Sequence, residues 1–215
     1  MAEAHPVGFQ WVMEAKARGA KIIHIDPRYT RTSALASTYV PIRAGTDIAF
    51  LGGIVRYILE NELDFREYVL AYTNAATILS DDFQDTEDLD GLFSGYDPAT
   101  GSYDRSSWQY RGREPSGHND TVTERESAAA LRHESHGAPM AADPPRDDTL
   151  THPRCVYQVL KRHYARYTPE LVERVCGVPR EKFEEVARAW TENSTRDRTT
   201  MLVYSVGWTQ HTVGV

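Results

Sequence analysis

One short stretch near the beginning of the chain restricts the fold more than any other. Apolar residues at helical spacing stop before Gly19, and the β-branched run of residues 21–25 follows, with Asp26, Pro27 and Arg28 directly after it. A helix, a glycine stop, a short apolar strand and a polar turn are the components of a parallel α/β unit. We therefore predict an α/β fold with a Rossmann-like parallel sheet flanked by helices.

Further elements are predicted on either side of a polar middle segment. Before it, the sequence predicts a helical turn at 33–36, a strand at 39–42 and helices at 48–59 and 65–72. Within the 48–59 helix, Gly52 and Gly53 indicate close packing, which we expect to be against the sheet. After the segment, we predict three helices, near 156–164, over 169–175 and from Pro179, and then a buried strand over 199–206.

The middle segment differs in composition from its flanks. Residues 81–152 carry 16 acidic residues against 6 arginines, whereas the remainder has 15 acidic and 18 basic residues. Little apolar surface is available between residues 114 and 148, so we expect this stretch to be disordered or loosely ordered. The predicted division is thus the first part of an α/β domain over 1–80, an irregular acidic insertion over 81–152, and its completion over 153–215.

Composition also argues against several classes of protein. A net charge of −7 is atypical of nucleic-acid binding, and no apolar run approaches the ~20 residues needed to span a bilayer. Cys155 and Cys176 cannot form a disulfide framework or a four-ligand metal site, and the histidines are scattered. The sequence contains neither a G-x-G-x-x-G fingerprint nor a P-loop, and no set of catalytic residues can be assembled.

Three polar groups are candidates for binding a nucleotide-bearing ligand. Asp26 ends a strand, where an acid commonly accepts hydrogen bonds from a ribose, and Arg28 and Arg31 can pair with phosphate or stack on a purine. The other two groups are a possible helix start at Gly45, Thr46 and Asp47, and the expected strand tip at Gly207, Trp208, Thr209 and Gln210. Each group also fits a purely structural role, respectively a strand-ending turn, a helix cap and a packed tryptophan.

Four segments, taken in order, resemble the catalytic subunit of respiratory formate dehydrogenases in the molybdopterin oxidoreductase superfamily. They are AEAHPVGFQWVMEAKARGAKIIHIDPRYTRTS, YVPIRAGTDIAFLGGIV, DGLFSGYDPATGSYDRSSWQY and SVGWTQHTVG. The first two are typical of the whole superfamily, and the last two of its membrane-associated formate dehydrogenase branch. The resemblance covers the chain except for about residues 111–148.

The resemblance implies a part of a larger multidomain fold that holds one of two molybdopterin guanine dinucleotides. Asp26, Arg28 and Thr30 would surround the guanosine, and Gly45, Thr46 and Asp47 would form a second nucleotide-side loop. Gly207, Trp208, Thr209 and Gln210 would reach toward the dinucleotide. Glu3 stands where relatives often have an aspartate in an N-P-A-D-S-H-P type motif.

Several family residues have no counterpart in this sequence. The four cysteines of the 4Fe-4S site, the selenocysteine or cysteine that binds molybdenum or tungsten, its neighbouring histidine and a substrate-orienting arginine are all missing. We therefore expect an internal fragment that binds cofactor but is inactive by itself.

The complete enzyme implied by the resemblance oxidises formate to carbon dioxide in anaerobic respiration. Electrons would pass from the bis-pterin metal centre through iron–sulfur to an electron-transfer subunit and a membrane cytochrome subunit, at the periplasmic face of the inner membrane. Two alternatives stay open: a nitrate- or thiosulfate-reducing member of the superfamily, and a nucleotide-binding module without redox chemistry.

Overall fold

The computed structural model describes residues 1–112 and 143–210, apart from the side chains of residues 207 and 208. Two compact units are formed, one by Met1–Phe65 with Tyr164–Val215 and the other by Arg66–His163. The three-part division predicted from composition stays a prediction. In chain order the elements are α1 (Pro6–Ala17), β1 (Ile23–Ile25), α2 (Arg31–Leu35), β2 (Thr38–Val40), α3 (Asp47–Glu60), α4 (Arg66–Tyr72), β3 (Tyr96–Asp97), β4 (Ser102–Tyr103), a 3₁₀ turn (Arg105–Ser107), α5 (Val156–Tyr164), α6 (Pro169–Cys176), α7 (Arg180–Glu192) and α8 (Val206–Thr209).

A small parallel sheet lies in the first unit. β1 pairs with β2, with Ile23 opposite Thr38 and Ile25 opposite Val40. Helix α1 precedes β1 and the chain turns at Gly19, whose φ of +99° glycine adopts without steric cost. Helix α2 connects the two strands. These elements confirm the α/β class, whereas the Rossmann-like arrangement stays a prediction.

Helices α3, α6 and α7 enclose the core of this unit. The rings of Phe50 and Phe183 meet edge to face, with their centroids 5.6 Å apart, and both side chains are fully buried. Burying one such side chain stabilises the fold by about 1.5–3 kcal/mol. The buried cluster comprises Val40, Ile42, Ala49, Phe50, Ile54, Val172, Cys176, Val178, Phe183 and Val186.

The glycine pair of α3 makes this core possible. A Cβ atom on Gly53 would lie 2.6 Å from Cγ2 of Val172, and one on Gly52 would lie 2.8 Å from Cγ of Tyr167. The predicted close packing is therefore confirmed, but the expected partner was wrong. Val172 lies on α6 and Tyr167 immediately before it, so α3 packs on helices at this point rather than on the sheet.

In its described residues, the second unit contains α4 and most of α5, and isolated backbone bridges join segments between them. Residues Thr77, Ile78 and Leu79 bridge to Arg146, Cys155 and Tyr110, respectively. The strands β3 and β4 form a two-residue antiparallel hairpin. The buried apolar residues of this unit are Ala75, Ala76, Ile78, Leu150, Cys155 and Tyr157.

Most of the predicted helices are confirmed, but the predicted strand at 199–206 is wrong. Residues 201–205 have no regular structure and α8 begins at Val206. The apolar side chains there are largely exposed, Met201 by 81% and Tyr204 by 59%. A strand needs a neighbour to accept its hydrogen bonds, and the described residues provide none here.

The disorder predicted for residues 114–148 falls mostly outside the described residues, but its last part can be judged. The Asp147 carboxylate accepts hydrogen bonds from the backbone N–H groups of Thr149, Thr151 and His152 at 3.0, 2.9 and 2.6 Å. Local hydrogen bonds therefore hold residues 147–152, while the prediction for residues 114–142 lies outside the described residues. Polar side-chain bonds to the backbone fix this turn without apolar burial.

Across residues 1–112 and 143–210, the helices are all too short or too polar to cross a lipid bilayer.

The close approach at Gly53 leads to a stability prediction. Gly53→Ala should lower the free energy of unfolding by about 1–3 kcal/mol, because the added methyl group clashes with buried Val172 and Phe183. Gly8→Ala in α1 is the matched control, since its nearest neighbour would be Cε of Met1 at 3.9 Å. That change should be neutral or stabilising by up to ~1 kcal/mol. Urea unfolding measures both, and equal effects would contradict the proposed cause.

A second prediction concerns Glu185, which links α7 to the sheet. Its carboxylate accepts hydrogen bonds from Lys182, Lys21 and Thr38, and these hold its pKa down at about 2. A lowered pKa stabilises the fold above the unfolded value and this contribution disappears as pH falls toward 2. Glu185→Gln should therefore destabilise the protein at pH 7 by up to about 1 kcal/mol, because solvent screens the pairs, and by less near pH 3.

The measurement is thermal or urea unfolding at several pH values. Glu192→Gln, at an exposed position on the last turn of α7, serves as the control and should show no such pH dependence. A Glu185→Gln effect that grows as the pH falls would contradict the prediction.

Candidate functional site

The predicted turn at Asp26 lies at the carboxyl end of β1. The backbone N–H of Asp26 donates to the Val40 carbonyl at 3.2 Å, which continues the ladder by one residue. Its carboxylate Oδ1 accepts the backbone N–H of Arg28 at 2.7 Å, and its carbonyl accepts the hydroxyl of Tyr39 at 3.0 Å. The backbone is thus fixed on both sides, while the Arg28 side chain is exposed.

Helix α2 begins directly after this turn. Thr30 is its N-cap residue, and its backbone N–H donates to the Ser33 hydroxyl at 2.8 Å, as in a capping box. The Thr32 hydroxyl accepts the N–H groups of Met1 and Ala2 at 3.1 and 3.0 Å. These bonds bring the N-terminal residues to α2.

Glu3 lies beside the same turn. Its carboxylate is 3.4 Å from the Arg31 guanidinium, and both side chains are at least half exposed. An exposed pair of this kind is worth ~0–1 kcal/mol, so its contribution to stability is small. The pair keeps the Arg31 guanidinium, a candidate phosphate-binding group, next to Thr30.

The second predicted group follows β2. Gly45 has a φ of +79°, Thr46 is the N-cap residue of α3, and Asp47 is its first residue. The Thr46 hydroxyl donates to the Arg43 carbonyl at 2.7 Å, and its carbonyl lies 3.4 Å from the Cys176 thiol. The predicted helix start is confirmed, and the hydroxyl of Thr46 stabilises the loop that precedes α3.

The parallel pairing of β1 and β2 places these two groups at one edge. Both follow the carboxyl ends of neighbouring parallel strands, which is where ligands bind in open α/β sheets. Asp26, Thr30 and Glu3 lie on the β1 side, and Gly45, Thr46 and Asp47 on the β2 side.

The third predicted group is not at a strand tip. Residues Val206–Thr209 form the short helix α8, and Thr209 and Gln210 are exposed. The environment of the Trp208 side chain lies outside what the structure describes, as does that of Gly207. Because the strand meant to carry this group is missing, the structural reason for placing it at the same edge is lost.

His24 was not singled out in the sequence analysis, although it lies in β1, two residues before Asp26. Its Nδ1 atom is 2.9 Å from the Ser33 hydroxyl and its Nε2 atom 3.6 Å from Oδ2 of Asp26. Burial lowers the pKa of His24, against the raising effect of the Asp26 carboxylate. The available signal was its alternation with Asp26, since residues two apart on a strand point to the same face.

The edge offers chemistry suited to a nucleotide rather than to a metal ion. A carboxylate, two exposed guanidinium groups (Arg28 and Arg31) and the exposed ring of Tyr29 can meet hydroxyl donors, phosphate and a base. Within the described ranges, no three His, Cys, Asp or Glu side chains gather as metal ligands. Cys155 and Cys176 are buried, and burial raises the pKa of each thiol.

Comparison with known proteins finds homologues that match nearly the whole chain. The chain is 48% identical over 214 residues to the formate dehydrogenase-O major subunit of Escherichia coli and 44% identical over 214 residues to the formate dehydrogenase alpha subunit of Megalodesulfovibrio gigas. The chain is therefore homologous to part of the formate dehydrogenase major subunits. These matches cover 99–100% of this chain but 18% of each relative's length. No protein-family model matches the chain.

Two further relatives refine this result. Formate dehydrogenase 2 subunit alpha (cytochrome c-553) of Nitratidesulfovibrio vulgaris is 42% identical over 214 residues, again with 18% of its length covered. The periplasmic nitrate reductase of Desulfovibrio desulfuricans is 38% identical over only 97 residues, or 44% of this chain. The nitrate-type alternative is therefore supported only at the level of the superfamily.

The environment of His24 allows one direct test of this site. Asp26→Asn removes the carboxylate that raises the pKa of His24, so the pKa should fall further below its usual 6.5. An NMR titration of the imidazole C–H resonances measures the change. Asp47→Asn on the neighbouring loop is the control and should leave the His24 titration unchanged. A higher pKa in Asp26→Asn would show that Asp26 does not face the ring as described.

Proposed function

We propose that this chain forms part of the guanosine-binding side of a molybdopterin guanine dinucleotide site in a formate dehydrogenase catalytic subunit. One observation carries the proposal. Asp26 and the exposed Arg28 and Arg31 lie at the carboxyl edge of two paired parallel strands, in a chain that is 48% identical over 214 residues to a formate dehydrogenase major subunit. The Rossmann-like surroundings expected for such a site belong to the same proposal.

Each residue at the edge has a task in binding. Asp26 accepts hydrogen bonds from hydroxyl or base N–H groups through its Oδ2 atom. Arg28 and Arg31 neutralise phosphate or stack on the guanine, and Glu3 orients Arg31. The ligand is lined on one side by the N-terminus of α2 at Thr30 and on the other by the loop of Gly45, Thr46 and Asp47. A third contact would come from α8 and the residue after it, through Gly207, Trp208, Thr209 and Gln210.

The donor set fits the nucleotide end of the cofactor and not its metal end. The described residues hold exposed cations and hydrogen-bonding groups but no metal-ligand cluster. When bound, the pterin and its molybdenum or tungsten supply the two-electron chemistry, and this chain contributes binding and orientation. The ligands of the metal and of the 4Fe-4S cluster would come from other parts of the subunit.

In the complete enzyme, we propose that formate is oxidised to carbon dioxide and that the electrons leave through an iron–sulfur subunit. A membrane cytochrome subunit at the periplasmic face of the inner membrane is the proposed anchor. The cytochrome c-553 in the name of one relative supports a multisubunit assembly. The chain's own exposed apolar residues, such as Val7 (73%), Trp11 (65%) and Met201 (81%), also support surfaces that neighbouring parts cover.

The guanosine content of the purified complete subunit tests this proposal. Acid hydrolysis and chromatography should release guanosine nucleotide from the wild type, and Arg28→Ala should retain about tenfold less after dialysis, because a charge-assisted phosphate contact is lost. Arg18→Ala, which removes an exposed arginine paired with Glu14 on α1, is the matched control and should retain the wild-type amount. A wild-type subunit that contains metal but no guanosine would overturn the proposal.

A further inference from the structure

A histidine at the centre of β1 is unexpected on packing grounds. His24 pairs with Tyr39 across the sheet, and only 17% of its side chain is exposed. A β-branched residue would suit a short, largely buried strand better, and burying an imidazole requires hydrogen-bond partners. Nδ1 of His24 has the Ser33 hydroxyl as its hydrogen-bond partner, and Nε2 lies near the Asp26 carboxylate.

The hydrogen bonds around Ser33 bear on where the imidazole proton lies. The Ser33 hydroxyl is buried and accepts the N–H of Thr30 at 2.8 Å. Its own proton is available to Nδ1 of His24, 2.9 Å away. When Ser33 donates to Nδ1, the neutral ring carries its proton on Nε2, on the side of Asp26.

Burial favours the neutral form of the His24 ring, because it lowers the pKa below the usual 6.5. Burial is the largest influence and lowers the pKa, the Asp26 carboxylate raises it, and the N-terminal amine lowers it. From the neighbouring strand the ring faces Tyr39, with the two ring centroids 6.1 Å apart, and from α2 it faces Ser33. A neutral Nε2–H group can orient a carboxylate without cancelling its charge.

Asp26 retains one oxygen for a ligand. Oδ1 accepts the Arg28 N–H at 2.7 Å, whereas Oδ2 lies 3.6 Å from Nε2 of His24, beyond ordinary hydrogen-bond length. The ring therefore lies beside Oδ2 without occupying it. A hydroxyl or guanine N–H donor can still bind there. The Arg28 N–H fixes Oδ1 by a hydrogen bond, and the nearby imidazole acts on Oδ2 electrostatically.

We propose that His24 is a positioning residue, which holds the Asp26 carboxylate in the orientation that receives the guanosine part of the ligand. This inference rests on the proposed function. It predicts that removing the Nε2–H group weakens retention of the nucleotide, although His24 itself does not touch the ligand.

The test compares variants of the complete, cofactor-loaded subunit by the half-time with which guanosine nucleotide is lost on dialysis. His24→Val, which keeps a strand-forming side chain but removes the donor, should shorten the half-time about tenfold. His24→Gln places an amide N–H near the position of Nε2–H and should restore it to within about twofold. His24→Asn reaches only the Ser33 side and should behave like His24→Val.

A double-mutant cycle separates positioning from a general structural role. Once Asp26→Asn has removed the carboxylate, adding His24→Val should shorten the half-time no further. Additive effects, or equal losses in the Gln and Asn variants, would overturn the inference. The Gln and Asn pair, which has the same polar chemistry, decides the question if His24→Val does not fold.

The two proposals fail in different ways. A wild-type subunit without guanosine sinks the proposed function. In the other case, the wild-type subunit retains guanosine, Asp26→Asn weakens this retention and His24→Val leaves it unchanged. That result supports the proposed function and rules out only the role of His24.

Discussion

The parallel pairing of β1 with β2 is the constraint on which the candidate site depends. It sets Ile25 opposite Val40, and the N–H of Asp26 then bonds to the Val40 carbonyl. Two loops that are distant along the chain therefore begin at neighbouring points of one sheet edge. Without this pairing, the acid at 26 and the helix start at 46–47 would be unrelated turns.

The pairing is in turn supported from a helix that comes much later in the sequence. The Glu185 carboxylate on α7 accepts hydrogen bonds from Lys21, ahead of β1, and from Thr38, at the start of β2. The α7 helix is held in the core through Phe183, which packs against α3 where Gly53 leaves room. The apolar packing of Phe183 and the polar contacts of Glu185 thus both support the pair of strands that carries this edge.

Sequence reasoning recovered those parts of the fold that are determined locally. The helix end at Gly19, the strand before Asp26 and the start of α3 each depend on residues within a few positions, and all are seen in the structure. The partner of Gly52 and Gly53 depends on residues more than a hundred positions away, so periodicity could not identify it.

The candidate site divides along the same line. Asp26 and Arg28 became candidates because a polar turn after an apolar strand is a local signal, whereas Thr30 became one through the resemblance. His24 has a local signal in its alternation with Asp26, but its contact with Ser33 on the next helix is visible only in the structure. The strand over 199–206 failed for the opposite reason, because its β-branched and aromatic residues express a preference that only a neighbouring strand can satisfy.

This difference separates what the chain can do alone from what requires a larger protein. The hydrogen bonds that shape the turn at Asp26 lie within residues 1–65, and the sheet that carries it is supported by α7 of the same unit. Residues 201–206 instead expose Met201, Val203 and Tyr204 by more than half, a cost that burial against another surface would remove. The turn at Asp26 is thus fixed by contacts within this unit, whereas the segment before residues 207–210 leaves its apolar side chains exposed.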